Sequence, residues 1–111
     1  MKTVEIESLI NEIVNSIENF NYHQLKEIIN TENVLTNFPN KETFLEFIKS
    51  MMDQARERAI GDVRCNIAFY DVMIEGGFVS LNFHDESHLH PILRLEYKVE
   101  NDSLVLSCPP F

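Results

Sequence analysis

The sequence predicts an α+β fold, with three N-terminal helices packed on a curved antiparallel sheet in one domain over residues 1–111. Three observations carry this expectation. Up to about residue 61, apolar side chains recur at three- and four-residue steps, the period of a helix with one buried stripe. From Asp62 onward they alternate singly, the period of a strand. Polar turns at Glu75-Gly76-Gly77, Asp85-Glu86-Ser87 and Asn101-Asp102-Ser103 then divide this second half into hairpins.

The first helix is expected over residues 4–20. Ile6, Leu9, Ile10, Ile13, Ile17 and Phe20 share one face, and Glu5 and Glu7 suit the positive end of the helix dipole. Asn21 reads as a fresh N-cap, with Gln24 in the position of a capping-box partner, opening a short helix over residues 22–29. Leu25, Ile28 and Ile29 are its buried residues. Residues 31–39 form a connector holding a short extended piece over residues 33–38, anchored by Val34, Leu35 and Phe38. Asn40 then opens the third helix and Gly61 closes it, with Phe44, Phe47, Ile48, Met51, Ala55 and Ala59 as the expected stripe.

In the first strand region, residues 62–74, Val63, Cys65, Ile67 and Phe69 occupy odd positions, whereas Val72 and Ile74 occupy even ones. Strict alternation cannot change parity without an extra residue, so a β-bulge is expected near Tyr70-Asp71. The second strand covers residues 78–84. The third, residues 92–99, sets Leu93, Leu95, Tyr97 and Val99 against Arg94, Glu96 and Lys98, which predicts one face on the core and one in water. A last strand covers residues 104–108, and Pro109-Pro110 ends the pairing.

Charge narrows the function classes. Eighteen acidic residues against nine basic ones give a net charge of −9. Direct binding to nucleic acid needs clustered Lys and Arg, so that class is set aside. A basic protein partner fits the field, because complementary charge speeds encounter. The densest acidic patches lie on the outer face of the first helix and at the second turn, so Glu5, Glu12, Glu18, Asp85 and Glu86 are the candidate partner-binding residues. Asp53 and Glu57 add to the acidic count on the third helix. Glu5, Glu7 and Glu12 interrupt any secretory apolar segment, and no apolar run approaches bilayer length, so the expected setting is cytoplasmic, without membrane association. Cys65 and Cys108, far apart and outside any C-x-x-C pattern, are expected as free thiols.

Chemistry-bearing residues are sparse. Tyr22, His23, Tyr70 and Asp71 are the candidate pocket residues, the last two lying beside the expected bulge. His84, His88 and His90 carry metal-ligating imidazoles near one turn, with Asp85 or Glu86 able to complete a shell. Convergence of all three on one ion is not encoded by the spacing, so the expectation is turn residues in solvent, with no metal and no cofactor. No G-x-S-x-G, Walker A or G-x-G-x-x-G motif occurs.

The order of elements resembles the NTF2-like (SnoaL-like) cone-fold superfamily. The matching features are the helix pair over residues 4–29, the helix over residues 40–61, and Ile92-Leu-Arg-Leu-Glu-Tyr-Lys-Val leading through Asn101-Asp102 to Leu104-Val-Leu. The resemblance implies a cone whose mouth takes a small molecule, with isomerase, dehydratase or cyclase chemistry in one branch. The isomerase branch places a catalytic Asp after the second helix, near a Pro. Here that stretch is Val34-Leu35-Thr36-Asn37-Phe38-Pro39, which has no carboxylate. Other members are non-catalytic: partner-binding domains and immunity proteins of toxin systems. Two functions therefore stand at this point, an acidic immunity or antitoxin protein covering a basic toxin such as a nuclease, and a small-molecule-binding protein or enzyme. Homodimers through a sheet face are a further option in such folds.

Overall fold

A computed structural model of the chain describes residues 3–37, 39–72, 76–87 and 90–108. The helices are α1 (Thr3–Glu18), α2 (Tyr22–Ile29) and α3 (Lys41–Arg58), and the strands are β1 (Val34–Thr36), β2 (Arg64–Val72), β3 (Gly76–His84), β4 (Leu93–Glu100) and β5 (Ser103–Ser107). The strands form one mixed sheet in the order β1-β5-β4-β3-β2. All three helices lie against one face, and Ile13, Ile17, Leu25, Ile29, Phe44 and Ile48 meet Leu81, Phe83, Leu93, Leu95, Leu104 and Leu106 in a fully buried core.

The end of α1 is set by a left-handed residue. Phe20 has φ +53, its N–H reaches the Ile17 carbonyl, and the Asn21 N–H reaches the Ser16 carbonyl at 2.7 Å. This is the Schellman arrangement, with phenylalanine where glycine is usual. It explains why only half of the expected capping box forms. The Asn21 side chain accepts from the Gln24 N–H at 3.1 Å, but the Asn21 N–H is already bound to Ser16. Asn40 caps α3 as expected, accepting from both the N–H and the hydroxyl of Thr43.

Five expectations require correction. The sheet is mixed, because β1 pairs parallel with β5, Val34 opposite Leu104 and Thr36 opposite Leu106. The whole of α3 and the hairpins separate these two strands in sequence, so no turn forces them antiparallel. Phe38, expected as an anchor of that segment, lies outside the described residues.

There is no bulge at Tyr70-Asp71. The β2–β3 register runs unbroken from Arg64 opposite His84 to Val72 opposite Gly76. Ile67, on the same face as Cys65, is 50% exposed, so that face of β2 is not buried along its whole length. The glycines are not the turn either. Gly76 and Gly77 pair within β3, and residues 73–75 lie outside the described residues.

The buried side of α3 is rotated from the expected one. Phe44, Leu45, Ile48, Met52 and Ala55 face the core, while Met51 is half-buried and Phe47 is 45% exposed. Finally, α3 ends at Arg58 with an extended C-cap at Ala59, and Gly61 turns with φ +72 further on. Its left-handed conformation serves a close approach: a Cβ there would overlap the Glu86 carboxylate.

The β4–β5 hairpin follows its sequence closely. Asn101 and Asp102 both take positive φ between the paired residues Glu100 and Ser103, as a two-residue type I′ turn requires. On the sheet face away from the helices, Asn82 accepts from Arg94 Nε at 3.0 Å and from the Ser80 hydroxyl.

Candidate functional site

The expected partner-binding acids divide by what they touch. Glu5 and Glu12 are exposed on α1. Glu18, at the end of the same helix, accepts the backbone N–H of Cys65 at 2.9 Å and so binds the free edge of β2. Asp85 is only 3% exposed. Its carboxylate accepts the Ile60 N–H at 2.9 Å, the Ser87 N–H and the Ser87 hydroxyl, fastening the β3–β4 connection to the segment after α3. These bonds, the Ser87 hydroxyl first and the Ile60 N–H next, hold its pKa below the usual carboxylate value against the opposing effect of burial. Glu86 is exposed but accepts the Asp62 N–H at 3.2 Å, while its own N–H reaches the Ile60 carbonyl. Asp85 is thus a structural tie.

The expected pocket residues do not converge among the described side chains. His23 is 85% exposed and sits 3.2 Å from Glu27 on the same helix face. Tyr22 is half-buried, with the Lys49 ammonium 5.9 Å from its ring centre. Tyr70 and Asp71 belong to β2, and their side chains lie outside the described residues. His84 alternates with the buried Phe83 and so belongs to the sheet face away from the helices, whereas His90 lines a cleft against α3. His88 is outside the described residues. Among the described residues no group of three or more His, Cys, Asp or Glu gathers around a common point.

The interior thiols and phenol are held neutral. Burial, and secondarily the Glu18 carboxylate, pushes the Cys65 pKa up to about 12. Burial does the same to Cys108, also to about 12, and both cysteines are free. Tyr97 is raised by burial, then by Cys65 and Glu7.

The feature that stands out is the outer face of α3. Glu42, Glu46, Asp53 and Glu57 are exposed and fall at i, i+4, i+11 and i+15 on one side of the helix. They are carried on a helix fixed by its buried stripe and by the Asn40 cap. Lys49 is the cation among them, paired with Asp53 at 3.5 Å. Among the described residues Glu42, Glu46 and Glu57 enter no ion pair. Glu46, Lys49, Ser50, Asp53, Gln54 and Glu57 line a shallow depression of 320 Å³. A second groove of 390 Å³ between α2 and α3 is lined by Tyr22, Lys26, Asn30, Glu42, Leu45 and Glu46. Phe47, 45% exposed, projects from a different side of α3, about 100° round the helix from Glu46.

Part of the arrangement is unfavourable for the helix alone. Glu42 with Glu46, and Asp53 with Glu57, are like charges at i,i+4, and each such pair costs a few tenths of a kcal/mol. Glu57 also lies in the last turn, at the negative end of the helix dipole, whereas Glu42 sits favourably in the first turn and Asp53 pairs with Lys49. The sequence signal for this face was its four-residue acid spacing.

No protein-family model matches the chain, and no curated protein matches it significantly. Among the described residues no helix is long and apolar enough to cross a membrane.

Proposed function

We propose that this chain is an acidic protein-binding domain that docks a basic protein partner on the outer face of α3. The observation that carries the reading is the set of exposed carboxylates of Glu42, Glu46, Asp53 and Glu57 on one side of α3, which includes two like-charge i,i+4 pairs. Complementary charge accelerates encounter with such a surface. Glu5 and Glu12 on α1 extend the same negative field. A basic toxin such as a nuclease has the matching chemistry, and the chain would then act as its immunity protein or antitoxin by covering it.

The finer fold assignment belongs to this proposal as well. The order of two helices, a short strand, a long helix and four strands in sequence, with all helices on one sheet face, supports membership of the NTF2-like cone superfamily. In that setting the α3 face is a partner surface rather than a catalytic one.

The test is affinity capture from the native host at low salt, run in parallel with the wild type and a Glu42→Gln/Glu46→Gln/Asp53→Asn/Glu57→Gln variant. The reading expects a basic protein retained by the wild type, released as salt rises, and lost with the variant. Retention of the same protein by both chains rules the α3 face out.

A further inference from the structure

The side of α3 next to the acidic face has the opposite character. Between the C-terminal half of α3 and the chain entering β4 lies a cleft of 390 Å³. That volume falls within the roughly 300–1,000 Å³ of small-molecule sites. Met51, Ala55 and Ile92 supply its apolar wall, and Gln54, Arg58 and His90 its polar edge. None of the described residues lining it is acidic, in a chain with eighteen acids and nine bases. Arg58 enters no ion pair among the described residues. The buried carboxylate of Asp85, in the neighbouring turn, is already taken by Ile60 and Ser87.

We propose that this cleft binds a small amphipathic carboxylate, its acid group on Arg58 and its apolar part against Met51, Ala55 and Ile92. The guanidinium presents a planar fork that matches a carboxylate in two parallel hydrogen bonds. Gln54 and His90 offer further N–H donors at the same edge. A cationic ligand is opposed by Arg58, and a fully polar anion leaves the apolar wall unused. The cleft shares only Gln54 with the depression on the acidic face and none of its four acids, so either proposal can fail alone.

Octanoate and octan-1-ol are the probes, titrated into the full chain with calorimetry and backbone amide NMR as readouts. Octanoate is expected to saturate one site with a Kd on the order of 1 mM or tighter, with the largest shifts at Ala55 and Ile92. Octan-1-ol is expected to bind about tenfold more weakly, and Arg58→Gln to weaken octanoate by about the same factor. Arg56→Gln, which changes an exposed arginine of the same helix outside the cleft, should leave octanoate binding unchanged. Equal affinity for acid and alcohol, equal losses in the two arginine variants, shifts centred elsewhere, or no saturation by about 10 mM each overturn the proposal.

Discussion

The carboxylate of Glu18 accepts the backbone N–H of Cys65 at 2.9 Å, joining the last turn of α1 to the exposed edge of β2. An edge strand presents unpaired N–H groups that invite pairing with another chain, and Glu18 occupies one of them. Glu18→Ala is therefore expected to lower stability by about 1–2 kcal/mol, the size of a charge-assisted hydrogen bond net of solvation. Urea denaturation reads this directly, and an unchanged midpoint would mean that the contact contributes nothing.

Phe20 makes an inverted prediction. It holds a left-handed backbone at the end of α1, where glycine is preferred by about 1 kcal/mol over residues with a Cβ. Both Phe20→Ala and Phe20→Gly lose the partly buried ring. The glycine variant should nevertheless be the more stable of the two by about 1 kcal/mol, the reverse of their order inside a helix. Thermal melts showing alanine ahead of glycine would contradict the assigned conformation.

Asp85 gives a pH signature. Its folded pKa lies below the ordinary carboxylate value, so its contribution is complete above about pH 4 and is lost as pH falls through the lower folded value. Asp85→Ala should melt at a lower temperature than the wild type at pH 7. The gap should narrow as the pH is taken below about 4. A gap independent of pH would show that the tie acts through packing alone.

The acidic face of α3 predicts a trade between stability and binding. Replacing Glu57 with lysine removes a like-charge i,i+4 contact with Asp53 and places a cation near the helix C-terminus. Glu57→Lys should raise stability by about 0.5–1 kcal/mol at low salt, less at high salt. A fall in stability would remove the argument that these acids are kept for a purpose outside the fold.

Much of this architecture was legible in local sequence. Asn21 and Asn40 announced their helices because a cap acts within three residues, and Asn101-Asp102 fixed its hairpin through backbone conformation alone. What depends on distant partners was not. The rotation of α3, burying Leu45 and Met52 instead of exposing them in place of Phe47, depends on where the sheet lies. The parallel pairing of β1 depends on β5, about seventy residues later in the chain. Asp85 looked like a surface acid because its donor at Ile60 is 25 residues away. The candidate site suffered most from this: the acid spacing on α3 was visible, but which side of the helix faced outward was not.

The association rate of the captured partner, measured against ionic strength for the wild type and the α3 glutamine/asparagine variant, tests the central claim most directly. Docking on the α3 face predicts a rate that falls steeply with salt in the wild type, and a slower rate with a shallower salt dependence in the variant. Identical rates and slopes for the two chains would contradict it.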